Sequence, residues 1–540
     1  MSNKAKLAVL SAFSLLFAIC LLLSRKQSKA VFVWSANGTA AEDSITAEIQ
    51  SGDCRAVINA FLADNGNYYL CLPSWTEGNS LVVERMGRAF HTGRIESGLT
   101  MEMDTGQRIT LLTGSEIPSI FLTLENDLSY ISSDKSLSDT GQALILDADG
   151  GCVYAGGLER IRGRGNSSWG KEKKPFNITL SEAVLMPGNS GKESEFALVA
   201  SNDISFLRNR ISGGMAEAMG AFHEEGCCVN LYVNNSFEGV YEIYRRITPE
   251  SLGIWNLEEE TELLNRYQGE VSQVTTGAAW DDWNQSITGK WWDFEKNPED
   301  ITGGYILEMD QAERYGDEAS GFILGGGAYV VSKSPSRLSE EQYRYISDYV
   351  QECEGVLMAA AGQKGAEELS YYIDIPSFVA KYLVEEVSKN IDCSSTSQYF
   401  YKDREGVLYA GPVWDYDCAY GTDRFQEGID YLDPEGFSAR ETPGAFKWWQ
   451  LMYYNEAIYQ EIVGVYEETL YPYLEQLIRR ELALWGEEME KSAVMDYIRW
   501  NRCQCQDLAQ VGEAYCEQVQ EVADFLAKRM EFLRREWEAE

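Results

Sequence analysis

With 540 residues, 44% of them hydrophobic and 12% aromatic, the chain has material for two to four domains and a large core, not for a disordered segment. Its 46 Lys and Arg against 85 Asp and Glu leave a net charge of -39, a field that repels nucleic acid and anionic lipid and argues against a nucleic-acid partner. Only two histidines occur, His91 and His223, and the 12 cysteines include no C-x-x-C pair, so Ser-His catalysis, multi-histidine metal sites and zinc sites lack material.

In chain order, Lys4 and Lys6 precede an uncharged run from Leu7 to Leu23, and Arg25, Lys26 and Lys29 follow it. As a helix that run reaches about 25 Å at ~1.5 Å per residue, the short end of a membrane span. Residues 1–30 are therefore expected to be an N-terminal anchor, giving a single-pass protein of the cell membrane with an extracytoplasmic domain. A cleaved signal ending near Ser28-Lys29-Ala30 is the alternative, and the protein is then secreted. Residues 31–112 read as a small β-rich accessory domain, with strands such as Tyr68–Leu72 and Ser80–Val83 separated by Gly, Asn and Asp turns.

From 113 onward, strands are expected at Ser119–Leu124, Ala143–Leu146 and Phe176–Leu180, the last alternating apolar and polar. Asp203 is placed to cap a helix carrying Phe206, Leu207, Ile211, Met215 and Met219, with Gly220 to stop it. A hairpin follows, turning at Asn234-Asn235. Residues 255–300 read as an ordered insertion, and Tyr305–Asp310 as another strand. The remainder is mainly helical: one helix starts near Asp374-Ile375-Pro376, and the last runs from about 511 to 538 with Val519, Val522, Leu526, Arg529 and Leu533 at helical spacing.

Two stretches carry chemistry. Arg160 to Lys174 packs six cations into an otherwise acidic chain, interleaved with Gly163, Gly165, Asn166, Ser167 and Ser168. Glycines allow close backbone approach to an anion, and amide, hydroxyl and N–H groups donate to it. If Phe176, Ile178 and Leu180 face the core, strand parity sends Lys174 to their side and Lys173 to solvent. A solvated basic loop is the plainer reading. In the second stretch, Asn390 to Asp417, Asp392 follows a helix. Strands Tyr399–Tyr401 and Val407–Tyr409 follow, joined by the turn Asp403–Gly406, and the second strand is expected to deliver Asp415 and Asp417 on one face. Paired carboxylates suit a hard divalent cation, and an acid-bearing loop, hairpin and metal-binding Asp is the order of a kinase catalytic lobe. The plainer reading makes Trp414 and Tyr416 core residues and the aspartates structural.

Together these pieces resemble the CotH kinase family, the spore-coat-protein-H-like atypical protein kinases. The resemblance lies in Arg162-Gly163-Arg164-Gly165-Asn166-Ser167-Ser168-Trp169 with Lys173-Lys174, Asp203 to Asn209, Val229 to Tyr232 with Gly239-Val240-Tyr241, and Gly304 to Glu308. It continues in Asn390-x-Asp392, Tyr399-x-Tyr401-Lys402-Asp403 and Gly411 to Asp417. It implies an α+β, two-lobed protein-kinase-like fold, with an N-lobe at about 113–310, a helical C-lobe at about 311–540 and the accessory domain in front. It also implies ATP and Mg2+ (or Mn2+) as cofactors, and Ser or Thr of a protein substrate as the acceptor. By that likeness Asp392 is the catalytic acid. Lys174, Arg162, Gly163, Gly165, Asn166, Ser167 and Ser168 form the nucleotide-binding set, and Asp415, Asp417 and Ser397 the metal set. Two positions depart from the family. Arg245 stands where a glutamate is usual, leaving Glu308 as a substitute lysine partner, and Ser397 stands where an asparagine is usual. These departures keep a catalytically idle surface-binding module in play. A secreted glycosidase using two carboxylates is the remaining alternative.

Overall fold

The computed structural model describes residues 32–34, 44–276, 288–422, 425–426, 428–442, 444–505 and 507–539. It is an α+β protein with one large sheet, a second mixed with helices, and a helical C-terminal part. The apolar run at 7–23 and residues 277–287 of the 255–300 segment lie outside the described residues.

In the 12-stranded sheet, seven strands run in the order Glu193–Val199, Phe176–Val184, Cys152–Gly163, Ser138–Leu146, Ser119–Leu124, Gly226–Val233 and Ser236–Arg245. The first also pairs with the last, Phe196 opposite Arg245 and Val199 opposite Glu242, so these seven close on themselves. Closure removes free edges and leaves an interior for alternate side chains to fill. Ile120, Leu122, Ile145, Ile161, Ile178, Leu180, Leu198, Val229, Leu231 and Ile243 fill it. Strands Cys54–Asn59, Ile45–Ser51, Ser80–Arg85 and Arg88–Arg94 extend the sheet through a pairing of Asn59 with Ser236. A core containing Leu70, Ile109, Phe121, Leu144, Phe237 and Met495 connects them to the closed strands.

The seven-stranded sheet runs Gln273–Thr276, Gly289–Trp292, Gly321–Ile323, Tyr329–Ser334, Tyr305–Asp310, Gln398–Lys402 and Leu408–Ala410. Tyr305–Asp310 is buried along its whole length. The main helical core packs on it, centred on Phe378, Tyr382, Phe400, Trp448, Trp449 and Leu526. Helix Ile375–Ser388 begins as its sequence requires: the Asp374 carboxylate accepts from the Ser377 amide at 3.0 Å, with Pro376 in the first turn. A continuous helical run from Glu456 to Arg499, carrying π turns at Tyr466–Leu470 and Leu477–Glu481, packs against Leu508–Ala539.

Most expected elements are present, including Ser119–Leu124 and Tyr305–Asp310 at the expected bounds. Asn234 and Asn235 make the hairpin turn at φ 46° and 73°, values that asparagine tolerates. The 255–300 segment contributes helix Leu257–Asn265 and strands Gln273–Thr276 and Gly289–Trp292. The single-pass expectation is overturned: among the described residues no helix is long and apolar enough to cross a membrane.

Candidate active site

Asp392 lies in the loop that leaves helix Ile375–Ser388. Lys389, at φ 51°, ends the helix in the left-handed region, and the Asp392 amide donates to Asn390 Oδ1 at 3.1 Å, turning the chain sharply. Loss of solvent contact, then repulsion from Asp415 and Asp417, pushes its carboxyl up to about 8, against the opposing pull of Arg314.

Asp415 and Asp417 arrive differently from the strand-parity expectation. The strand ends at Ala410, and 411–417 is irregular, with Asp415 itself at φ 68°. A non-glycine residue held there is strained backbone of the kind that clusters at functional sites. The segment is fastened on both sides: Val413 N donates to Phe222 O at 2.9 Å, and the Tyr416 amide donates to Asn209 Oδ1 at 2.8 Å. Asp417 is buried and accepts from the Asn202 amide at 2.8 Å. Burial and then the Asp415 charge raise its carboxyl to about 6. The two carboxylates therefore interact through loop geometry, not through alternation along a strand.

Ser397 supports Asp415 directly, donating from Oγ to Asp415 Oδ2 at 3.1 Å, while its amide donates to Glu308 Oε1 at 3.2 Å. Ser397 too is left-handed, at φ 55°. Glu308 is paired with Lys333 at 3.2 Å, so its cation comes from the strand Tyr329–Ser334 and not from the glycine-rich stretch. Arg245 is paired with Glu225 at 3.4 Å.

The glycine-rich stretch is a tight loop. A Cβ at Gly163 would meet the Trp169 ring at 2.5 Å, and at Gly165, φ 75°, one would collide with Ser168 Oγ. Asn166 and Ser167 are exposed, and Asn166 Oδ1 accepts from Lys135 Nζ at 3.3 Å. The lysine parity reverses. Lys173 is 5% exposed, ion-paired with Asp496 and donating to Val240 O, whereas Lys174 is half-buried, donating to Trp169 O at 2.6 Å and lying over that ring. The cause is local: the strand starts only at Phe176, and turn residues with Pro175 intervene, so alternation does not extend back to the lysines. Arg164 is the cation whose charge couples to the acids. Its guanidinium lies over Trp414, 5.6 Å from the ring centroid, and interacts with Asp415, Tyr399 and Asp417 while burial lowers its proton affinity. Arg162 is half-buried, held down by burial and by Arg160 and Arg246.

The sequence reading did not single out the cations Arg314 and Lys135. Arg314 Nη1 donates to Thr396 Oγ1 at 2.9 Å and interacts with Asp392. Lys135 is depressed by burial and then by Arg164, Arg314 and Arg162, which places four cations within reach of one another's fields. Neither Lys135 nor Arg314 belongs to a motif, so only the fold brings them in.

Among the described residues no group of three or more His, Cys, Asp and Glu side chains converges as a ready-made metal cage. The donor set still fits magnesium, which binds through one or two carboxylates together with substrate phosphates. Asp415 and Asp417 hold like charge together, and Arg164, Lys135 and Arg314 offer the complementary charge for phosphates. No curated protein matches the chain. The family model described as CotH kinase protein matches residues 161–533, most of the chain, and the protein therefore belongs to the CotH kinase family.

Proposed function

We propose that the protein is a kinase that uses ATP and a divalent metal to phosphorylate Ser or Thr side chains of a protein substrate. Its scaffold is read as two-lobed, about 113–310 and 311–540, behind the accessory unit 31–112. One observation carries the reading: three acids, Asp392, Asp415 and Asp417, and three cations, Arg164, Lys135 and Arg314, from five stretches far apart in sequence, are linked through one another's fields. Asp415 and Asp417 raise the proton affinity of Asp392, and Asp415 that of Asp417; Arg164 and Arg314 lower that of Lys135, while Arg164 interacts with Asp415 and Asp417 and Arg314 with Asp392. A magnesium nucleotide presents the matching charges.

In this reading Asp415 and Asp417 hold the metal, Ser397 orients Asp415, and Arg164 meets the phosphates with Arg314 and Lys135 at the rim. The Gly163–Ser168 loop lies beside them. Asp415 and Asp417 would hold a divalent ion there, and such an ion would supply charge stabilisation for the transferred phosphoryl group. Asp392 accepts the proton of the acceptor hydroxyl. Burial is the larger cause of the raised Asp392 carboxyl and repulsion from Asp415 and Asp417 the next, so a cation held by those two acids would lower its proton affinity and favour its role as base.

The test is incubation of the full chain with labelled ATP, Mg2+ or Mn2+ and casein-like acceptors, followed by phosphosite mapping. Asp392→Asn is expected to abolish transfer while retaining nucleotide binding, and Asp415→Ala to abolish both transfer and metal-dependent binding. Full activity in either variant removes the assignment. Ser397 and Arg245 favour one rival, a catalytically idle binding module. A chain whose melting temperature does not respond to ATP with metal supports that rival.

A further inference from the structure

Beneath the two acid loops lies a closed polar cluster that phosphoryl transfer does not itself use. Glu385 and Lys381, one turn apart on the helix Ile375–Ser388, are 0% and 1% exposed, with charged atoms 3.0 Å apart. The two carboxylate oxygens of Glu385 serve different loops. Oε2 accepts from Asn390 Nδ2 at 3.0 Å, and Asn390 Oδ1 in turn accepts from the Asp392 amide at 3.1 Å. Oε1 accepts from Tyr416 Oη at 2.6 Å, and Tyr416 stands between Asp415 and Asp417. Lys381 Nζ donates to the same hydroxyl oxygen at 2.9 Å, so Tyr416 Oη both donates and accepts. Asn390 and Tyr416 are 0% and 1% exposed, so water does not compete for these partners.

A buried ion pair adds little to stability against an apolar pair of equal size, because desolvation offsets the attraction. Its directional bonds do fix geometry. Among the described residues the Glu385 carboxylate reaches, besides Lys381, one residue from each acid loop. We propose that Glu385 is a positioning residue that ties the Asp392 loop to the Asp415–Asp417 loop, so that base and metal-holding acids keep one separation. The catalytic consequence rests on the phosphoryl-transfer reading; the coupling rests on the hydrogen bonds alone.

Coupling of this kind is reciprocal: loosening either loop must loosen the other. The experiment is hydrogen–deuterium exchange on the full chain as wild type, Asn390→Ala, Tyr416→Phe and Glu385→Gln. Peptides spanning 389–398 and 411–418 are expected to exchange about tenfold faster together in each variant, a change of ~1.4 kcal/mol in local opening, while 119–124 stays unchanged. If Asn390→Ala affects only 389–398 and Tyr416→Phe only 411–418, the proposal is overturned. Those two variants suffice should Glu385→Gln not fold. In the transfer assay, kcat of Tyr416→Phe and Asn390→Ala is expected to fall with KM for ATP within threefold, and the double variant to lose no more than the worse single. Multiplicative losses overturn the positioning role. A wild type that transfers no phosphate removes the kinase reading instead, and exchange still decides the coupling.

Discussion

Replacing Arg164 by Met tests which cation faces the phosphates. Its guanidinium interacts with Asp415 and Asp417 from above Trp414, whereas the Lys174 ammonium is committed to Trp169 O at 2.6 Å. A charge-assisted hydrogen bond to phosphate contributes about 1.5–3 kcal/mol, and 1.4 kcal/mol is tenfold, so Arg164→Met should lower kcat/KM for ATP by roughly 10- to 150-fold. The loss exceeds what an exposed charge produces because the site is screened from solvent. Lys174→Met removes one bond within the loop and should cost about threefold or less. Both are read from initial rates at saturating acceptor with ATP varied, alongside nucleotide binding by calorimetry. A larger loss for Lys174→Met than for Arg164→Met refutes the assignment and returns the phosphate contact to the lysine.

Ser397→Asn is expected to raise metal affinity, measured by Mn2+ titration: an amide oxygen is a better ligand than a hydroxyl, and asparagine accepts the φ of 55° found there. Weaker Mn2+ binding refutes this. The metal-free protein should lose thermal stability as pH rises from about 5 to 8.5. Asp417 is raised to about 6, and Asp392, Glu242 and Glu224 to about 8; their stabilising contribution is complete below the unfolded carboxylate range and is lost as pH passes these folded values. The melting temperature followed against pH checks the sign, and a rise over that window contradicts it. Arg529→Met should destabilise by about 3–5 kcal/mol, since Arg529 and Glu386 are both 0% exposed and 2.6 Å apart, and the change strands a buried carboxylate. Denaturant unfolding of Arg529→Met and of Arg529→Met with Glu386→Gln measures it; the double variant should recover part of the loss.

Arg529 also shows where sequence reading succeeds and where it stops. Helical spacing placed it on the buried stripe with Val522, Leu526 and Leu533, but the spacing says nothing of Glu386, 143 positions away, whose charge makes that burial tolerable. The same division runs through the active site. Local signals located Asp392 after a capped helix, the Gly163–Gly165 loop and the Asp415–Asp417 segment, because caps, turns and glycines act over a few residues. Two inferences extended a strand rule beyond its strand: parity carried back across Pro175 exchanged the roles of Lys173 and Lys174, and alternation carried past Ala410 misread a segment in which Asp415 is left-handed. Lys135 and Arg314 reach the site only through tertiary packing, and nothing in their own neighbourhoods marks them; Asn202 and Asn209 flank or end a recognisable stretch, but only the fold shows that they fasten Asp417 and Tyr416. The motifs therefore contain the acids and Arg164, while Lys135 and Arg314 are brought to them by the fold. On the proposed kinase reading, phosphate transfer is expected to need Arg164, Lys135 and Arg314 as well as the aspartates, and the Arg164→Met comparison tests the first of these directly.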